Sequence, residues 1–192
     1  MEPSGRRAAV QEQPDRENRE VSEEEPEPLR VCFVCTGNIC RSPMADAVFR
    51  ELVARAGLDG LVEVSSAGTS GSHDGEPAHP RALTALQARG YDGSAHISRR
   101  FTAEDYERHD LILALDSSHL RTLWDGAPSE QARGRIELLL GAGRGVEGSR
   151  EVPDPYYSDQ DEYHRVLATI EAACELLLRE LEPALRPTES TR

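Results

Sequence analysis

The sequence predicts an α/β domain, a three-layer sandwich in which a four-stranded parallel sheet carries helices on both faces. Three features support this. Short apolar runs alternate with stretches whose apolar residues recur at threes and fours, which is the pattern of strands each followed by a helix. Leu111 to Leu115 is apolar throughout, as a strand buried on both faces must be. Two of the helical stretches stop at glycines, Gly57 and Gly90, the residue type that best closes a helix.

The elements follow in order. The first strand is expected over about Arg30–Val34 and the first helix over about Pro43–Ala56, where Met44, Ala45, Ala47, Val48, Leu52 and Val53 share a face. Ser42 suits the cap of that helix and Pro43 its first turn, where a missing N–H costs nothing. Leu61–Ser65 reads as the second strand, Ser65 to Pro80 as a long polar loop and Pro80–Arg89 as the second helix. An extended link, Ala95–Ser98, leads to a capped helical turn at Thr102–Asp105. The third strand, Leu111–Leu115, feeds a helix capped at Asp116–Ser118 and running to about Trp124. Arg135–Leu139 is the expected fourth strand, followed by a glycine-rich loop over 141–149 and an irregular loop at Asp154–Tyr157. The last helix spans about Asp159–Glu182, and Pro183 is expected to end it. Residues 1–28 are rich in Glu, Arg, Pro and Gln and poor in large apolar side chains, so disorder is expected there. The domain is then 29–183, with a flexible tail over 184–192.

The stretch Val31–Pro43, VCFVCTGNICRSP, holds the chemistry. A strand ends at Cys35, a tight loop follows, and a helix begins after Arg41 and Ser42. Backbone N–H groups at a helix start lack partners, and the helix dipole adds positive charge, so a loop wrapped there cradles an anion. Cys35 would lie at its floor, where a positive site favours the thiolate. Gly37 and Asn38 allow the sharp turn, and Arg41 offers a planar fork for two phosphate oxygens. A thiolate beneath a bound phosphate is the arrangement for attack on phosphorus through a phosphocysteine.

The 192 residues suffice for one domain, and the formal net charge of −13 argues against nucleic acid or an anionic membrane as partner. No apolar run approaches the roughly 20 residues of a membrane span. The N-terminal stretch lacks a signal-peptide core, so a cytoplasmic protein with free or catalytic thiols is the expectation. The four cysteines form no C-x-x-C framework with zinc spacing, the histidines are scattered without metal-ligand spacing, and no metal or cofactor is expected.

CTGNICRSPMADAVFR (35–50) resembles the active-site loop and first helix of the low-molecular-weight protein tyrosine phosphatases. VSSAGT (64–69), DLILALDSSHL (110–120) and VPDPYY (152–157) follow in the family's order, so the likeness covers about residues 30–182. It implies a sheet order of 2-1-3-4 and hydrolysis of phosphotyrosine in tyrosine-phosphorylated proteins with release of inorganic phosphate; the sequence itself sets no oligomeric state, and a monomer is the expectation. The likeness implies catalysis by Cys35, Arg41 and Asp154, with Asp154 as general acid and then base, and a phosphate-binding loop of Thr36, Gly37, Asn38, Ile39, Cys40 and Ser42. Ser42 would donate to the sulfur; Ser66 and His96 would hold Asn38, and Asp116 would orient Arg41. Tyr156 and Tyr157 would line the rim, favouring a flat phenyl ring. Cys40 could form a reversible disulfide with Cys35, while Cys32 and Cys174 read as core thiols.

Two positions depart from the family's pattern. Ser72 stands where many relatives carry tryptophan, which widens the expected pocket, and His79 replaces an aspartate, read as a cap change without catalytic consequence. Three other functions fit the sequence less well. An arsenate reductase of this fold needs two more cysteines downstream, and 90–125 has none. Arginine phosphatases carry Thr at the Ile39 position and lack a second tyrosine after Asp-Pro-aromatic. A phospho-binding module without turnover would need neither Cys35 nor Asp154.

Overall fold

The computed structural model describes residues 27–142 and 150–186. The extension over 1–26, most of the glycine-rich loop (143–149) and the tail from 187 lie outside the described residues. Four strands form one parallel sheet: β1 (Leu29–Cys35), β2 (Val62–Gly68), β3 (Leu111–Ala114) and β4 (Ile136–Leu138), in the order β2-β1-β3-β4. The helices are α1 (Arg41–Arg55), α2 (Pro80–Ala88), α3 (Asp105–Arg108), α4 (Ser117–Gly126), α5 (Glu130–Arg133), α6 (Leu139–Ala142) and α7 (Gln160–Leu185). The fold class and strand order are those expected.

Alternation along β1 builds the two faces of the core. Val31, Phe33 and Cys35 point to the side covered by α1 and α7, and Cys32 and Val34 to the other side. On the first face Phe33 meets Phe49 of α1 edge-on, with centroids 5.6 Å apart, and Met44, Val48, Leu167 and Ile170 are fully buried. On the second, Ile112, Ala114 and Leu123 pack with Phe101 and Tyr106. Truncating one such Leu or Ile to Ala would cost roughly 2–5 kcal/mol. Among the described residues no helix is long and apolar enough to cross a membrane.

Several boundaries move, each for a physical reason. β2 runs three residues beyond its expected end, because the ladder with β1 continues to the Cys35–Gly68 pair despite the weak strand propensity of Ser-Ala-Gly. Ser66 therefore lies within a strand, opposite Phe33. α1 begins at Arg41 with Cys40 at its cap position, so Ser42 is not the cap; its hydroxyl is used at the sulfur instead. The turn expected at Thr102–Asp105 becomes a helix starting at Asp105, whose carboxylate folds back to accept from the Thr102 N–H. α7 continues past Pro183 to Leu185. A proline in a final turn disrupts few remaining bonds, and Arg186 N–H still reaches the Glu182 carbonyl at 3.0 Å. Gly57 and Gly90 do close their helices with positive φ, 66° and 80°.

This topology positions the site. The connection leaving β1 leads to β2 on one side, while β3 lies on the other, so the loops after β1 and β3 diverge and leave a crevice at the strands' carboxyl ends. Cys35 leaves β1 there, and Asp116 follows β3.

Candidate active site

The loop 36–40 connects β1 to α1 and wraps the sulfur of Cys35, a residue only 3 % exposed. Two donors face that sulfur: Ser42 Oγ at 3.0 Å and the Asn38 N–H at 3.3 Å. Ser42 Oγ accepts from Asn38 Nδ2 at 2.8 Å, which leaves its own hydrogen free for Cys35 or for the Ala67 carbonyl at 3.3 Å. Asn38 takes φ of 55°, the one positive value at a non-glycine among the described residues. Its fully buried side chain makes that conformation tenable: Nδ2 also donates to Ser66 Oγ at 3.1 Å, and Oδ1 accepts from the Arg99 N–H at 2.9 Å. His96 Nε2 lies 2.7 Å from the Asn38 carbonyl and must be the protonated nitrogen there. Ser66 thus meets the Asn38 side chain, and His96 meets its backbone.

Arg41 is buried and tied at three points. Nη1 donates to Asp116 Oδ2 at 2.8 Å and to the Val152 carbonyl at 3.1 Å, and Nη2 donates to Asp154 Oδ2 at 3.0 Å. Asp116 divides its oxygens, since Oδ1 accepts from the N–H groups of Ser118 and His119 and so caps α4. Burial disfavours its charge, but the hydrogen bonds from Ser118 and His119, then the charges and donors around it, hold its pKa down at about 2. Asp154 is more open, with its side chain 53 % exposed, and Oδ1 accepts from the Tyr156 N–H. Its loop is anchored by Val152 N–H donating to the Leu115 carbonyl at 2.8 Å.

Above the sulfur lies a cavity of about 230 Å³ lined by Cys35 to Gly37, Ile39 to Arg41, Ser70, Ser72, His73, Asp154, Tyr156 and Tyr157. Tyr157 is 95 % exposed and meets Tyr156 edge-on at 4.8 Å. Ser72 lies in the wall, as its position implied. Cys40 is buried with its Sγ 3.3 Å from Tyr163 Oη, and burial pushes its thiol up to about 12. The four cysteines are free.

Some contributors escaped the sequence reading. His79 does cap α2, accepting from the Arg81 N–H, but it also stacks on Tyr163 at 5.4 Å and meets Tyr156 edge-on at 5.8 Å. Its own N–H donates to the Ile39 carbonyl at 2.7 Å, so this residue joins the loop to the rim. Ser98, Arg99 and His119 also hold the loop, at the Gly37 carbonyl, Asn38 Oδ1 and Thr36 Oγ1. Each is a lone polar residue far away in sequence, and nothing local marks it.

A sheet of this order with a sulfur at the base of an amide-lined loop, and an arginine closing that loop, defines a class of anion-binding α/β domains. The sequence profile of the low molecular weight phosphotyrosine protein phosphatases matches residues 30–186, and the chain belongs to that family. It is 50 % identical over 150 residues to a low molecular weight protein-tyrosine-phosphatase of Streptomyces coelicolor, covering 78 % of this chain and 91 % of the relative. The crystal structure of a protein tyrosine phosphatase from Entamoeba histolytica, with Hepes in its active site, is similar with a TM-score of 0.76 and 36 % identity, over 81 % of this chain and 98 % of that one. The arginine phosphatase YwlE is similar with a TM-score of 0.73 and 32 % identity, over 82 % of this chain and all of that one (100 %).

Proposed function

We propose that residues 29–183 form a protein tyrosine phosphatase that hydrolyses phosphotyrosine, and simple aryl phosphates, through a phosphocysteine on Cys35. The observation that carries this is the sulfur at the loop floor with Ser42 Oγ at 3.0 Å and the Asn38 N–H at 3.3 Å, beside an Arg41 that touches Asp154. Those donors stabilise a thiolate, both as nucleophile and as leaving group.

In the first step the Cys35 sulfur attacks phosphorus and the bond to the phenolic oxygen breaks. The carboxylic acid of Asp154 gives its proton to that oxygen, and tyrosine leaves. In the second step water attacks the phosphocysteine, Asp154 takes a proton from it, the sulfur–phosphorus bond breaks and inorganic phosphate departs. Arg41 holds two phosphate oxygens throughout, and Asp116 sets the plane of its guanidinium. Tyr156 and Tyr157 grip the phenyl ring, and the depth of the cavity disfavours the shorter phosphoserine. Ile39 and Tyr156 in the cavity wall suit an aromatic ester better than a phosphoguanidinium.

Steady-state hydrolysis of an aryl phosphate, with and without a chelator, tests the reading. Turnover is expected to survive the chelator, to vanish in Cys35→Ser, and to exceed turnover of phosphoarginine. Activity retained in Cys35→Ser, or abolished by chelation, would remove the cysteine mechanism.

A further inference from the structure

His119 lies in the first turn of α4, only 2 % exposed, and its ring lies between two parts of the site. Nε2 is 2.8 Å from Thr36 Oγ1, the first loop residue after the sulfur-bearing one. Nδ1 faces Asp116 Oδ1 at 3.1 Å without the alignment of a hydrogen bond. Among the described residues it is the buried side-chain nitrogen or oxygen left without such a partner. Burial pulls the imidazole down to about 4, so the ring is neutral and carries one N–H.

The charge beside it decides where that hydrogen sits. On Nε2 it would leave the Nδ1 lone pair against the lone pairs of a carboxylate. On Nδ1 it lies beside the negative charge, which favours it there even without hydrogen-bond alignment, and Nε2 becomes an acceptor for the Thr36 hydroxyl. Thr36 then turns its hydrogen away from the cavity it lines, so its side chain anchors the loop and is not a ligand for phosphate. Its carbonyl is fixed as well, accepting from the Ser70 N–H at 2.9 Å.

We propose that His119 is a positioning residue: it accepts a hydrogen bond from the Thr36 hydroxyl, fixes the backbone beside the sulfur, and joins it to the carboxylate that holds Arg41. The proposal rests on the phosphatase reading and names a residue that the reading leaves without a role. The coupling it requires runs through one hydrogen bond. Losing that bond should lower kcat and raise the inhibition constant for inorganic phosphate by roughly three- to tenfold.

A double-mutant cycle on Thr36→Val and His119→Ala, read in kcat and in the phosphate inhibition constant, tests this, together with the ring nitrogen shifts of His119 by NMR. The expected result is that each single change gives the loss, the double variant is no worse than the worse single, Thr36→Ser restores wild-type behaviour, and the hydrogen is on Nδ1. Additive losses, wild-type values in Thr36→Val, or a hydrogen on Nε2 would each overturn it. Should His119→Ala fail to fold, Thr36→Val and Thr36→Ser, both at an exposed position, decide the matter with the nitrogen shifts. A wild-type chain that hydrolyses no aryl phosphate defeats the phosphatase reading, and the nitrogen shifts still report on His119.

Discussion

Arg41 Nη2 and Asp154 Oδ2 lie 3.0 Å apart, so the guanidinium of the anion loop is already engaged by a carboxylate. Its second partner, Asp116, is 18 % exposed and fastened to α4, whereas the Asp154 side chain is 53 % exposed on an irregular loop. Under the proposed mechanism Asp154 is the partner that a phosphate would displace, and displacement would free it to face the leaving group.

This competition predicts opposite effects in one variant. Asp154→Ala should lower kcat for an aryl phosphate by about 10²–10⁴, the usual worth of a general acid. The same change removes a negative charge from Arg41, so inorganic phosphate should inhibit several-fold more tightly. Weaker phosphate binding in this variant would contradict the displacement.

Asn38 yields a prediction that separates strain from hydrogen bonding. At φ of 55° an alanine pays a steric penalty, and it loses the bonds to Ser42, Ser66 and Arg99. Asn38→Ala should cost about 2–4 kcal/mol in urea unfolding. Asn38→Gly relieves the backbone but not the bonds, so it should recover part of the stability and none of the activity.

Why the loop was legible and its supports were not follows from the same residues. Cys35, Arg41 and Ser42 sit within eight residues of one another, and a strand, a turn and a helix in succession fix their relation. Asp116 could be placed because it follows an apolar strand and opens a helix, so one pattern sets both its position and its cap role. His119 lies in the first turn after that cap, and its contact with Thr36 at 2.8 Å arises only when β1 and β3 pair. His79 was read correctly as a cap, yet its contacts with Tyr156 and Tyr163 depend on how α7 packs on α2, which periodicity does not reveal. The end of β2 was missed because its Ser-Ala-Gly is held by the ladder and not by propensity.

Buried neutral imidazoles predict the acid side of the stability curve. Burial lowers the pKa of His119 to about 4, against the pulls of Asp116, Asp154 and Glu151 and with that of Arg41. The unfolded chain then binds the extra proton between about pH 6.5 and 4, so stability is full above that window and falls as pH drops through it. The contribution is on the order of 2–3 kcal/mol. His96 and His109, also lowered by burial, act in the same direction. Asp116 adds a loss only below about pH 4, toward its folded value of about 2. Urea midpoints measured from pH 7 to 4 should fall in the wild type and fall less steeply in His119→Gln.

Gly68, at the end of β2, is predicted to matter for activity more than for folding. A Cβ there would lie 2.6 Å from the Thr36 carbonyl oxygen, 3.0 Å from that of Ser70 and 3.2 Å from the Asn38 nitrogen. All three are backbone atoms, so nothing flexible can yield, and the loop itself must shift. The cost of such overpacking is about 1–3 kcal/mol, which a domain of this size can tolerate. One of the displaced atoms, however, is the Asn38 nitrogen whose N–H meets the sulfur at 3.3 Å, and a misplacement of about 1 Å in reacting groups can cost roughly a hundredfold. Gly68→Ala should therefore remain folded by circular dichroism while kcat/KM for an aryl phosphate drops at least about tenfold. Gly60→Ala, where a Cβ meets nothing within 4 Å, is the control and should change neither. Equal activity in the two variants would show that the approach of β2 to the loop does not fix the sulfur's surroundings.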